Sequence, residues 1–178
     1  MSLLKTSRGR EEAQDIAGKF REYMHLERKQ GSDGLSVSEL QRWTELKDLL
    51  NHHFHPGLTK EKARQRNSVR LPTRLNVSFG SAGEMSSSLL TNVSRGGIFV
   101  STESLLPIGS RLQLRLRVED PLYEVDTQGE VVSHDVAAGA AAQPGMGIRF
   151  VNLSEDQQKA VDELYHRAAQ RLIHDRSR

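Results

Sequence analysis

The sequence of 178 residues is 36% hydrophobic and 27% charged, the range of an ordinary soluble globular chain with one domain and an appendage, or two small domains. Its formal net charge of +2 excludes a surface coated for non-specific binding to polyanions, so any basic function must be local. Cysteine is absent, which excludes disulfides, thiolate zinc sites and cysteine nucleophiles.

The start of the sequence, Met1-Ser2-Leu3-Leu4-Lys5, turns charged at once and lacks the apolar core of a secretory signal. No run approaches the apolar length needed to span a bilayer. Together these predict a cytoplasmic protein with no membrane attachment, in which the Asn-x-Ser matches at Asn76, Asn92 and Asn152 are chance sequons.

Residues 9 to 30 read as a helix, because Ile16, Phe20, Tyr23 and Met24 form one stripe of a 3.6-residue period. Gln30-Gly31-Ser32-Asp33-Gly34 is a turn cluster. A second helix opens with Ser36 as cap and Glu39 at the third helical position, the spacing of a capping box. Leu35 and Leu40 are placed for a hydrophobic staple. Val37, Leu40, Trp43, Leu46, Leu49 and Leu50 supply its expected apolar face, and Pro56-Gly57 stops it. The two helices predict an antiparallel hairpin over residues 1–56. Such a hairpin buries little alone, so its apolar faces must pack on the following domain or on a second copy of the chain, a possible homodimer.

Residues 57–70 read as a basic linker. Lys60, Lys62, Arg64, Arg66 and Arg70 are opposed only by Glu61, and the commonest meaning of such a run is a solvated joint. From Leu71 the period changes from 3.6 to 2. Strands are expected at Leu71–Phe79, Met85–Asn92, Gly97–Ser101, Leu112–Val118, Tyr123–Val132 and Gly145–Val151. Turns fall at Gly80–Gly83, Pro107–Gly109 and Glu119–Pro121, and an Ala/Gly-rich loop at Ala137–Pro144. Gly129 inside the fifth strand predicts a bulge or bend. Six short strands predict a small antiparallel barrel or sandwich, and closure into a barrel would remove exposed edges. Ser154 and Gln157 repeat the capping-box spacing before a last helix. Val161, Leu164, Tyr165, Ala168 and Leu172 form its face, which plugs or flanks the barrel, and residues 174–178 fray. The barrel with its helix spans 71–178.

Two groups could carry recognition chemistry. Arg66 and Arg70 offer planar forks that bind phosphate in bidentate fashion, stack on bases and read guanine edges; four residues apart in a flexible segment, they could wrap a ligand. Asn92 and Ser94 sit at i and i+2, so they share one face of a strand, and Gly96 and Gly97 permit close backbone approach. Taken singly, the commoner readings are solvated arginines and, for Asn92 to Gly97, an ordinary polar turn. His52, His53 and His55 read as a surface cluster rather than a metal site, since no Cys or acidic partner lies near in sequence. Trp43 reads as core. No nucleophile elbow, phosphate loop or dinucleotide fingerprint is present, so no catalytic residue, metal or cofactor is assigned.

The order Arg66-x-x-x-Arg70, one strand pair, then Asn92-x-Ser94-x-x-Gly97 resembles the two-part signature of PilZ domains. Gly145-Met146-Gly147-Ile148-Arg149-Phe150 is similar to that family's final strand. The resemblance covers roughly residues 62–172 and implies a six-stranded antiparallel barrel with a C-terminal helix, here preceded by the helical hairpin. It implies a non-enzymatic bacterial receptor for the second messenger cyclic di-GMP. In that reading Arg66 and Arg70 clamp phosphates and guanine faces, Asn92 and Ser94 read the ligand from the barrel surface, and Gly97 allows its approach. Arg64, Gln65 and Gly96 are additional candidate contacts. In the family, the residue before the first Arg bears on whether one ligand or a stacked pair binds; here it is Gln65. Ordering the arm would re-orient the hairpin and pass the signal to an unidentified downstream protein partner. Two other readings stay open: a nucleic-acid-binding barrel, disfavoured by the low net charge and 5% aromatic content, and a ligand-free dimeric adaptor.

Overall fold

The computed structural model describes residues 3–81, 84–118, 122–135 and 144–175. Of the turn expected at Gly80–Gly83, Gly80 and Ser81 are strand instead, and its last two residues, the turn at Glu119–Pro121, most of the Ala/Gly-rich loop, and residues 176–178 lie outside the described residues. Contacts divide the chain into two units. One holds the N-terminal helices through Arg70 together with the chain from Ala169; the other is Leu71–Ala168.

In the first unit, α1 spans Leu3–Ser32. It begins earlier than its apolar stripe indicates, because Leu3, Leu4 and Lys5 favour helix without adding to that stripe. Gly34 ends it in the left-handed region, at φ 79°, and donates its N–H to the Lys29 carbonyl at 3.0 Å. The capping box of α2 (Val37–Phe54) forms as read. Glu39 N–H donates to Ser36 Oγ at 3.3 Å, and Ser36 N–H donates to Glu39 Oε2 at 2.9 Å.

The two helices pair antiparallel. Late α1 meets early α2 through Lys29–Glu39 at 2.5 Å, and Arg42 clamps Glu22 with two bonds of 2.7 Å. Phe20, Tyr23, Met24 and Leu26 are buried, as are Trp43, Leu46, Leu50 and Phe54. Phe20 meets Phe54 edge-on at 6.5 Å, and Tyr23 stacks near Trp43 at 6.4 Å. The indole Nε1 donates to Glu27 Oε2 at 2.6 Å, which satisfies a buried carboxylate.

The expected apolar face of α2 needs correction. Val37, Leu40 and Leu49 are 87%, 46% and 40% exposed. At 100° per residue, Val37 and Leu49 stand about 120° either side of the Trp43 direction. Leu40 lies closer to that direction, in the first turn. The stripe that is buried runs through Trp43, Leu46, Lys47, Leu50, Asn51 and Phe54. A short helix, α3 (Lys60–Gln65), occupies part of the segment read as a linker. Thr59 caps it, accepting from Lys62 N–H at 3.3 Å. Six residues show no period, so this helix was invisible to pattern reading.

The second unit is a closed barrel of six antiparallel strands in the order β1-β2-β3-β6-β5-β4. They are β1 (Leu71–Ser81), β2 (Glu84–Ser94), β3 (Gly97–Ser101), β4 (Arg111–Val118), β5 (Tyr123–Asp135) and β6 (Gly145–Val151). Closure comes from β1 pairing with β4, Val77 opposite Leu116 and Phe79 opposite Leu114. Leu112, Leu114, Leu116 and Val118 alternate inward from β4, and Leu75, Val77, Leu90, Val100, Val125, Val131 and Ile148 complete the interior. Gly129 does not mark the bulge expected there. It stays in register with Leu112 and Phe150, and the irregularity falls between Val131 and Ser133. A Cβ at Gly129 would strike the side chains of Ile148 and Leu114, so its smallness serves packing inside the barrel.

The last helix, α4, spans Glu155–Asp175 and carries its predicted capping box: Gln157 N–H donates to Ser154 Oγ at 3.2 Å, and Ser154 N–H to Gln157 Oε1 at 3.0 Å. Val161, Leu164, Tyr165 and Ala168 are buried, whereas Leu172 is half-buried. The first half of α4 flanks β5, where Gln157 Nε2 donates to the Asp126 carbonyl at 3.1 Å and Tyr123 Oη to the Ala160 carbonyl at 3.3 Å.

Candidate functional site

The arginine arm leaves α3 in extended conformation at Arg66, φ −75° and ψ 131°. Expected to be flexible, the segment is instead fastened to the helical hairpin at Arg66, Val69 and Arg70. Lys47 Nζ donates to the Arg66 carbonyl at 3.0 Å. Val69 N–H donates to Tyr23 Oη at 3.1 Å. His55 Nε2 lies 3.0 Å from the Arg70 carbonyl, an acceptor, so the ring proton sits on Nε2. Asn51 Oδ1 takes two donors, Arg66 Nη1 at 3.2 Å and Arg70 N–H at 3.3 Å. Lys47 and Asn51 lie at i and i+4 on one face of α2 and His55 is its C-cap, so the end of a single helix grips the arm at both arginines.

Among the described residues these arginines are cations without counter-charges: no carboxylate pairs with Arg66 or Arg70, while Arg42, Arg95, Arg115, Arg117, Arg149 and Arg167 each have one. The Arg66 guanidinium is half-buried, and burial first, the neighbouring Arg70 charge second, push its pKa down to about 10. It stays charged at neutral pH, in a setting where an incoming anion would relieve both effects. Arg70 is exposed. Arg64 and Gln65 are exposed in the last turn of α3.

On the barrel, Asn92 and Ser94 are half-buried and Val93 between them is buried, so both polar side chains leave the core on the same side of β2. Asn92 pairs with Phe99 of β3 and Pro72 of β1, and the register of each ladder shifts next to it, between Leu90 and Asn92 and between Pro72 and Leu75. Asn92 Oδ1 is buried with no hydrogen-bond partner among the described residues, an acceptor left open. Ser94 Oγ donates to the Gly97 carbonyl at 3.1 Å across the turn and keeps its lone pairs free to accept. Gly97 is crowded: a Cβ there would collide with the Ile148 carbonyl of β6. Gly96 stands in the open turn, and its carbonyl accepts from Phe150 N–H at 3.0 Å.

Sequence reasoning passed over Arg95, the spacer between Ser94 and Gly96. Its guanidinium clamps Asp162 of α4 with Nε–Oδ1 2.6 Å and Nη2–Oδ2 2.8 Å, which fastens the β2–β3 turn to the last helix. It placed Tyr23 in an apolar stripe and His55 in a surface cluster, and passed over Lys47 and Asn51. The i, i+4, i+8 spacing of Lys47, Asn51 and His55 was the one available signal.

No helix among the described residues is long and apolar enough to cross a membrane. A family model described as the PilZ domain matches residues 64–167, more than half of the chain. No curated protein matches. Among solved structures, the Bacillus subtilis inhibitor of motility MotI/DgrA is 24% identical with a TM-score of 0.50, covering 60% of this chain and 51% of its own. Escherichia coli YcgR in complex with c-di-GMP is 15% identical with a TM-score of 0.53, covering 63% of this chain and 49% of its own. The isolated PilZ domain of YcgR with c-di-GMP is 15% identical with a TM-score of 0.52, covering 62% of this chain and 96% of its own. The chain thus spans about half the length of the first two, and these likenesses establish a shared fold.

Proposed function

The chain belongs to the PilZ domain family, and from that premise we propose that it is a non-catalytic receptor for cyclic di-GMP. The observation that carries the proposal is the pair of arginines, Arg66 and Arg70, that no carboxylate neutralises among the described residues, one amide oxygen bonding the guanidinium of the first and the backbone N–H of the second. A dianionic dinucleotide with guanine bases matches two such forks in charge, in bidentate geometry and in stacking. YcgR, which shares the barrel fold, is described in complex with c-di-GMP.

In this reading Arg66 and Arg70 take phosphates and guanine faces, and Asn92 and Ser94 supply acceptors and donors to the base edges. Gly97, which has no Cβ, allows close approach of the ligand, with Arg64, Gln65 and Gly96 at the margin. Because α2 grips the arm, ligand capture by the arginines would change the load on the hairpin and so reach a protein partner.

Binding of cyclic di-GMP that outcompetes single-stranded oligonucleotides at physiological salt is the expected result. Oligonucleotide binding with a steep salt dependence and no preference for the cyclic dinucleotide would replace this reading with a nucleic-acid module.

A further inference from the structure

We propose that Asn51 is the positioning residue of the arginine arm: it holds Arg66 and Arg70 in fixed relation and, being neutral, leaves both charges to the ligand. The inference rests on the reading of those arginines as ligand contacts. Its geometric basis lies within the helical unit. One side-chain oxygen bonds Arg66 Nη1 and the Arg70 N–H, while Lys47 and His55, one turn either side, reach the carbonyls of the same two residues. Both arginines are thereby fixed at the backbone, and Arg66 also at its head group.

The chemistry of the contact matters as much as its position. Guanidinium carries five N–H donors, and Asn51 engages one of Arg66. Elsewhere among the described residues, three arginines are clamped by carboxylates through two bonds each: Arg42 by Glu22, Arg95 by Asp162, Arg115 by Asp126. Those forks are consumed. At residue 51, fully buried on α2, an amide takes the place a carboxylate would fill. Its Nδ2 is buried without a partner among the described residues, a cost a carboxylate would not incur. Only burial and the neighbouring Arg70 charge act on the Arg66 pKa, and no acid offsets them. A neutral acceptor aligns the fork without neutralising it.

Two variants of the full-length protein test this, Asn51→Leu and Asn51→Asp, each read in two ways. Ligand-free trypsin cleavage after Arg66 and Arg70 is followed by mass spectrometry, and cyclic di-GMP affinity by calorimetry. Asn51→Leu removes the acceptor; cleavage of the arm should accelerate and affinity fall roughly tenfold. Asn51→Asp keeps the acceptor and adds charge; cleavage should slow, yet affinity should fall by at least about tenfold because Arg66 is now paired. A merely structural Asn51 would leave Asn51→Asp binding as the wild type does. Unchanged cleavage in Asn51→Leu, faster cleavage in Asn51→Asp, or wild-type affinity in Asn51→Asp overturns the inference. If Asn51→Leu fails to fold, Asn51→Asp decides. If the wild type binds no cyclic di-GMP, the receptor reading falls by itself, and the cleavage rates still decide whether Asn51 holds the arm.

Discussion

Arg95 and Asp162 form a two-bond ion pair, 2.6 and 2.8 Å, that ties the turn between β2 and β3 to α4. The side chains are 18% and 16% exposed, so solvent screens them only in part. Arg95→Ala and Asp162→Ala should each destabilise the barrel unit, and a double-mutant cycle in urea should give a coupling of roughly 1–3 kcal/mol. Additive single mutants would show that the pair is geometric only.

Adjacent glycines in that turn should respond oppositely. Gly96→Ala meets open space and should change stability by less than about 0.5 kcal/mol. Gly97→Ala drives a Cβ into the backbone of β6, which cannot rotate away, and should cost roughly 1–3 kcal/mol. Equal denaturation midpoints for the two variants would contradict the close approach of β3 and β6.

Acid should loosen the hairpin through Glu39. Hydrogen bonds from Lys29 and then from Ser36 hold its carboxyl at about 2, below the ordinary 4.5. A depressed carboxyl stabilises the fold above the unfolded value, and that contribution is lost as pH falls from 4.5 through about 2. Glu39→Gln, which can still complete the capping box, should flatten the stability profile in that window. A wild-type profile equally steep in the variant would assign the acid transition to other groups.

Much of this fold can be read from the sequence, and what escapes has physical causes. The alternation of Arg111–Val118 and the two capping boxes are local signals, and the structure carries them almost unchanged. The six-residue α3 is too short to display a period. Gly129 was misjudged because crowding by Ile148 and Leu114 is a tertiary fact. The same holds at the candidate site. Arg66, Arg70, Asn92 and Ser94 stand out by residue type, but the grip of Lys47, Asn51 and His55 on the arm joins positions distant in sequence. Arg95 looked like a spacer because its partner lies on another element.

Trp43 is the single tryptophan and sits beside this grip. Lys47 Nζ lies 4.7 Å from the centroid of its ring while bonding the Arg66 carbonyl. Ligand capture that shifts Arg66 should therefore alter Trp43 emission, with excitation chosen to avoid guanine absorbance. Lys47→Met should weaken that response while Arg66 and Arg70 still bind. An emission spectrum unmoved at saturating ligand would mean that the hairpin does not sense the arm.

The most direct test of the receptor assignment is a calorimetric titration of the purified wild type, Arg66→Ala and Arg70→Ala with cyclic di-GMP. The account predicts saturable binding to the wild type with a defined stoichiometry, and affinity reduced by at least about tenfold in each variant, each having lost a charge-assisted contact. No heat with the wild type at high micromolar ligand, or undiminished affinity in either variant, would contradict it.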